Sequence, residues 1–436
     1  MIKIRVERGF DLETQLANIE QEVEKKEKLW TWNFFLLWQG QLVSAFGDIA
    51  YSLALGFWIF AKTGSTGLMG TLMAVSMLPR IVISPFAGVL VDRTDRKKII
   101  VWMDFIRGFI VVMIGIAALT DTIEIWMVFT AGIILGICAA FFNPAVSSII
   151  PDVVPTSKVM QANSAFNMIY SGTNILGNPI GGVAYQMLGA PIMFLFNGVS
   201  YIFSAATEVF IKVPKIQREA EQLHFFQDML QGFKFMWKFT GLRSTLMIAA
   251  GLNLFANTAM VLMMPFFQMT KGLGPGKYGF AIAMLTGGAF VGMLATSSIN
   301  IKPKQRYIIF ILTGLISSIC YTLFPLSNSL MIIAALLFLA GLLNAILNVL
   351  FQTTMQLAVP QDMRGKVFSM MGTLLMGLTP IGMALGGVMA EFIPAKYVMS
   401  ICYAITFFFF IPFIFMPSFK RFINYNPEEQ MLEDIM

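Results

Sequence analysis

Asp48 and Arg80 each interrupt a long apolar run. A carboxylate in such surroundings, whose partner or solvation changes between two conformations, can take up a proton in one and release it in the other. The competing reading is a fixed ion pair that only sets packing, because neither charge is tolerated alone in hydrocarbon. Asp104 and Arg107 lie three residues apart, a helical neighbour spacing, and form a second candidate pair. These four are the candidate proton-coupling residues. Glu208, one turn before Lys212, reads as an interfacial helix pair. Other chemistries find few residues to work with. There is one histidine, His224, and the three cysteines (Cys138, Cys320, Cys402) show no paired spacing, so neither a metal centre nor a disulfide framework is expected. The HExxH and GxSxG patterns are missing, and so is the Gly-x4-Gly-Lys-Ser/Thr phosphate loop. The chain is therefore read as no enzyme, with no cofactor. Uphill work would draw on an ion gradient or another subunit; the carboxylates suit protons, and sodium remains compatible.

The elements that must position these charges are membrane spans. The chain is 57% hydrophobic and 12% charged, far from the soluble average. Twelve runs of about 20 predominantly apolar residues lie near 32–60, 66–90, 99–119, 125–149, 163–186, 191–211, 244–269, 278–300, 306–326, 329–353, 367–391 and 396–417. At about 1.5 Å per residue, Asp48 lies roughly 22 Å and Arg80 roughly 18 Å from the same membrane face, so the two could pair. The connections after the even-numbered spans and before the last hold 16 Lys/Arg, and the opposite ones only Lys62, Lys271, Lys277 and Lys396. Basic residues favour the cytoplasm, so both termini are expected there, in the plasma or bacterial inner membrane. The net charge of +6 follows this topology and suggests no nucleic acid.

The expected organisation is a cytoplasmic segment (1–29), a six-helix bundle (30–211), a linker (212–243), a second six-helix bundle (244–417) and a tail (418–436). Residues 1–28 are too polar for a signal peptide; Leu12, Leu16, Ile19 and Val23 follow helical spacing, so a short amphipathic helix and a solvated arm are both open. The linker sets Phe225, Phe226, Phe233 and Trp237 among polar residues, as an interfacial amphipathic helix would. At a fixed offset of 205, Gly136–Val183 matches Gly341–Val388 at eleven positions, among them Asn143/Asn348, Gly177/Gly382, Gly181/Gly386 and Gly182/Gly387. Such matching indicates a duplicated half, and an even number of spans per copy gives a parallel repeat.

Two motifs carry a family resemblance. Gly88-Val-Leu-Val-Asp92-Arg93-Thr-Asp95-Arg96-Lys97-Lys98 resembles the loop after the second helix of the major facilitator superfamily. Asp95 stands where most members have glycine, a variation associated with the drug-exporter branch that includes macrolide efflux and siderophore exporters. Gly88 permits close helix approach, Asp92 can meet a facing helix N-terminus or a basic group, and Arg93 and Arg96 can clamp carboxylates or lipid phosphates. These four form the candidate gating loop; a basic loop that only sets orientation is the plainer reading. Gly177-Asn178-Pro179-Ile180-Gly181-Gly182 resembles the fifth-helix antiporter motif of the same superfamily, with Pro179 one place late; generic small-residue packing competes. The resemblance implies an all-α polytopic fold of 12 transmembrane helices in two pseudo-symmetric six-helix bundles. It also implies that the first, fourth, seventh and tenth spans line a central cavity. Those spans carry polar stripes: Gln41, Ser44 and Asp48; Asn143 and Ser147; Asn253 and Asn257; Asn344, Asn348 and Gln352.

The resulting expectation is a monomeric, proton-coupled exporter of amphipathic small molecules of the drug or macrolide type, working by alternating access. The alternative is a mover of lysophospholipids or lipid-linked substrates that needs no proton.

Overall fold

The computed structural model describes residues 28–213, 233–234, 237–299, 301–360 and 363–427, and all regular secondary structure among them is helical. The helices are α1 (Trp32–Thr63), α2 (Thr66–Asp92), α3 (Arg96–Leu119), α4 (Ile125–Val153), α5 (Val159–Glu208), α6 (Thr240–Met260), α7 (Met263–Met269), α8 (Pro275–Ser298), α9 (Pro303–Leu323), α10 (Leu330–Ala358), α11 (Arg364–Gly377), α12 (Thr379–Phe392), α13 (Ala395–Phe415) and α14 (Pro417–Ile423). The expected helix over 1–28 and most of the linker, with His224, Phe225 and Phe226, lie outside the described residues.

Local chemistry sets the breaks. Thr31 accepts a hydrogen bond from the Phe34 amide and starts α1, and Gly64, at φ 66°, returns its N–H to the Phe60 carbonyl and ends it. Ser65 at once caps α2 by accepting from Leu68 N–H. Among the described residues eleven segments are long and apolar enough to cross a membrane, and the longest runs through Gly189 at φ 73°, ψ 174°. Gly177 before this break lies against Ile49, and Asn197 after it lies against Gly47, so α5 folds back on itself at one glycine. Counted as two spans, it brings the total to twelve.

Each half is sewn shut at its last residues. Asn33 donates its amide to the Lys212 carbonyl and accepts from the Lys212 N–H, both at 3.0 Å. In the second half α14 buries Phe419 and Phe422 against Phe310, Phe413 and Phe239. Arg306 donates to the Tyr425 carbonyl at 3.1 Å and Asn424 accepts from the Tyr307 N–H at 3.0 Å. The expected tail thus begins as a docked helix.

The halves meet through paired glycines. A Cβ on Gly182 would stand 2.6 Å from the Pro275 carbonyl oxygen and 3.0 Å from the Gly279 Cα. A Cβ on Gly387 would stand 2.5 Å from the Thr66 carbonyl oxygen and 3.0 Å from the Gly70 Cα. Gly182 and Gly387 are the same position of the repeat, so one crossing is built twice. Their neighbours Gly177 and Gly181 rest on Ile49 and Leu53 of α1, as Gly382 and Gly386 rest on the Leu254–Thr258 turn of α6. These inter-half crossings lie at the end of the bundle away from Asn33 and Lys212. Nearer the terminal end, a Cβ on Gly88, Gly172, Gly372 or Gly377 would meet nothing within 4 Å.

A carboxylate fastens the closed end. Glu391, on the last turn of α12, accepts from the Ser65 hydroxyl at 2.6 Å, the Gly67 N–H at 2.7 Å and the Thr66 hydroxyl at 3.3 Å, so it caps the N-terminus of α2 from the opposite half. Thr66 also reaches the Gly387 carbonyl at 2.9 Å. With Glu391→Ala, spin labels at Gly64 and Lys396 are expected to show a parted population raised roughly fivefold, the scale one exposed charge-assisted set supports. An unchanged distance distribution would remove Glu391 from the closure.

Candidate functional site: a charged cavity in the first half

A cavity of about 580 Å³ opens among α1 to α5, with Met383 of α12 its one lining residue from the second half. α1 presents Gln41, Ser44, Asp48 and Ser52 at helical spacing, α4 presents Asn143 and Ser147, and α2 presents Met73, Ser76, Met77 and Arg80. Asn253, Asn257, Asn344, Asn348 and Gln352 are not among its lining residues. Three of those amides turn back along their own helices: Asn257 donates to the Asn253 carbonyl at 2.8 Å, Asn253 to Ala249 at 3.3 Å, and Asn348 to Asn344 at 2.8 Å. An amide satisfied by its own i−4 carbonyl has less need of a cavity.

Asp48 is open to the cavity and hydrogen-bonds the phenol of Tyr201, from the second arm of α5. Matched depth suggested Arg80 as its partner; Arg80 lines the same cavity and acts on Asp48 through space, but the direct contact of Asp48 is with Tyr201. Asp104 and Arg107 do form an ion pair: Asp104 is fully buried behind the cavity, and Arg107, itself buried, is part of the cavity lining. The Arg107 guanidinium sits 3.8 Å over the Phe142 ring and 4.6 Å over the Tyr201 ring, so one cation contacts the ring that holds Asp48 and the acid behind it.

Glu208 is a third acid of this cluster, where an interfacial pair with Lys212 was expected. It is fully buried, accepting from Ser204 at 3.1 Å and Gln41 at 3.5 Å. The α5 fold-back at Gly189 turns it toward α1 and α3 and away from the surface. One oxygen of Glu208 and one of Asp104 lack any protein partner, as do Ser44 Oγ and Tyr51 Oη nearby. A signal for these residues existed in the sequence: Asn197, Tyr201, Ser204 and Glu208 recur every three or four positions in the sixth span.

The candidate gating loop divides. Arg96 donates to Asp152 at 2.8 Å and to the Ser148 carbonyl at 3.1 Å, tying the start of α3 to the end of α4 within the first half. Asp95 caps α3 by accepting from the Lys98 N–H at 3.3 Å, at φ −69°, so the turn requires no left-handed residue where glycine was the expected type. Arg93 is exposed, and the side chain of Asp92 lies outside the described residues. In the other motif, Pro179 lies beside Gly279 of α8, next to the Gly182 crossing.

Residues 37–383 match the family model described as Major Facilitator Superfamily. Macrolide efflux protein A of Streptococcus pyogenes is 24% identical over 394 residues, covering 84% of this chain and 91% of that protein. The putative bacilysin exporter BacE of Bacillus subtilis is 27% identical over 378 residues, covering 83% and 88%. Among solved structures, a bacterial homologue of the human lysosomal transporter Spinster superposes with a TM-score of 0.66 at 14% identity, over 91% of this chain and 99% of that one.

Proposed function

Because this chain belongs to the Major Facilitator Superfamily, we propose that it is a proton-coupled exporter of amphipathic small molecules that works by alternating access. That it is a multi-pass membrane transporter, and no enzyme, follows from the family and the twelve spans. The observation that carries the finer reading is Asp48: a carboxylate deep in the membrane, open to the cavity, and held by a phenol without an ion-pair partner. Behind it, Asp104 and Glu208 are buried with only Arg107 as a cation among them. A buried carboxylate with an unpaired oxygen is costly, and a proton relieves that cost. The cluster therefore has places for protons, and Asp48 is the one within reach of the cavity.

The 16-to-4 division of Lys/Arg between the two sets of connections supports termini in the cytoplasm. On that orientation the glycine crossings and Glu391 close the outer end, and the cavity takes cargo from the inside. The similarity to macrolide efflux protein A and BacE supports export over import. Opening the Gly182 and Gly387 crossings while closing the terminal end would carry cargo outward.

The test is efflux from proteoliposomes preloaded with an anionic or a cationic amphipathic fluorescent dye, a macrolide or a lysophospholipid, with and without an imposed pH gradient. Efflux of at least one of the dyes or of the macrolide that accelerates at least tenfold with the gradient is the expected result. Movement of the lysophospholipid alone, indifferent to the gradient, would replace this reading with an uncoupled lipid mover.

A further inference from the structure

Arg80 occupies the middle of α2, fourteen residues from Thr66 and twelve from Asp92. That is about 21 and 18 Å from the two helix ends, farther than an arginine side chain can snorkel. Its guanidinium lines the cavity and is exposed there. Among the described residues it has no ion pair, hydrogen bond or ring contact. Asp48 lines the same cavity and acts on Arg80 through space, but its hydrogen bond goes to Tyr201 and it makes no direct ion pair with Arg80, while Arg107 is paired with Asp104. A cation at this depth with no direct contact partner is costly and marks a substrate or ion path. Positive-inside orientation gives it no role, since that rule acts near span ends.

Its surroundings say what kind of group would pair with it. Met73, Ser76, Met77 and Arg80 share one face of α2, and Met383 approaches from the second half. Guanidinium presents a planar fork that suits a carboxylate or phosphate, while flexible thioethers accommodate varied apolar bodies. We propose that Arg80 is the anion-recognition residue of the cavity, and that the cargo is an amphipathic molecule carrying a carboxylate or phosphate beside an apolar portion laid along Met73, Met77 and Met383. A cargo that neutralises Arg80 also removes the cost of closing the cavity around a bare cation when the access state changes. This proposal rests on the cavity being the transport site. Met383, the one lining residue from the far half, lets a cargo seated on α2 register the relative position of the halves.

The test is equilibrium binding at a fixed pH, without a gradient, to the full-length protein in nanodiscs of neutral lipid. Three dansyl probes share one apolar body: dansylglycine (anionic), dansylglycinamide (neutral) and dansylcadaverine (cationic). Wild type is expected to bind dansylglycine at least tenfold more tightly than dansylglycinamide, with dansylcadaverine weakest. Arg80→Gln should collapse the acid-to-amide ratio to about twofold or less, and Arg80→Lys should retain part of it. Because the ratio is read within each variant, partial loss of folded protein does not mimic the result, and Arg80→Lys tests the same charge should Arg80→Gln fail to fold. A preference for the acid that persists in Arg80→Gln, or stronger binding of the amide or cation by wild type, overturns the proposal. Competition then assigns the source. Displacement by lysophosphatidate in the bilayer upholds the subsite and names a lipid headgroup; displacement only by soluble acids upholds it for a free solute; displacement by neither, with the probe bound, overturns it. Gradient-driven efflux can fail while this binding preference holds, so the two readings fail separately.

Discussion

Asp48→Asn is expected to reduce pH-gradient-driven efflux at least tenfold while leaving cargo exchange without a gradient within about threefold of wild type. The substitution preserves shape, and an amide oxygen can still accept from Tyr201, so the cavity wall and the contact between α1 and α5 remain. What is lost is the one carboxylate in the cavity lining. A fixed scaffold role predicts the reverse: both activities fall together, in proportion to folded protein. Paired measurements of driven efflux and gradient-free exchange on the same proteoliposomes separate the two. Driven accumulation that survives unchanged would end the coupling role of Asp48 and shift attention to Asp104 and Glu208, whose partners Arg107 and Gln41 also line the cavity.

Gly182→Leu and Gly387→Leu should each prevent closure at the end away from the termini and cut transport by tenfold or more. Each side chain would have to enter space where even a Cβ stands 2.5–2.6 Å from a backbone carbonyl oxygen. Backbone in a packed helix cannot swing aside like a flexible side chain. Overpacking costs about 1–3 kcal/mol in ordinary cores, and here it falls on one access state, because only that state makes the contact. The population should move toward the state open at that end, seen as increased labelling of cavity cysteines by impermeant reagents from that side. Because the two glycines occupy the same repeat position, the effects should be alike in direction. Gly172→Ala is the control: a Cβ there meets nothing within 4 Å, and both labelling and transport should stay within twofold. Equal loss in the control would attribute the effect to helix composition and leave the crossings without a role.

The sequence made the scaffold readable because length, apolarity and duplication act along the chain. Runs of about 20 apolar residues mark the spans, and the 205-residue offset already pairs Gly177, Gly181 and Gly182 with Gly382, Gly386 and Gly387, which pack in equivalent ways. Even the reversal between the fifth and sixth spans has a local sign, Gly189 followed two residues later by Pro191. The cavity was harder to read because it depends on directions around helices from separate parts of the chain. Matched depth proposed Arg80 for Asp48, and both face one cavity, but the direct contact of Asp48 is with Tyr201, on a helix that depth alone does not bring to mind. Glu208 sits near a span end, where charge usually reads as interfacial, and only the fold-back of α5 turns it inward. Glu391 posed the same problem at the opposite end, since its partners, Ser65 to Gly67, belong to the other half.

The sealing contacts also bear on how the protein is made. The first half is closed by Asn33 and Lys212, so once residue 212 has left the ribosome every group that completes it is present. It can settle while the second half is still being synthesised, in keeping with the general tendency of domains to fold from the N-terminus onward. The second half has no such early opportunity. Its seal is α14, with Asn424 and Tyr425 reaching back to Tyr307 and Arg306, so α6, α9 and α13 must wait for residues 417–425 to be translated. A ribosome stalled near residue 416 would leave a finished first bundle tethered to an unsealed second one, the intermediate most exposed to membrane quality-control proteases.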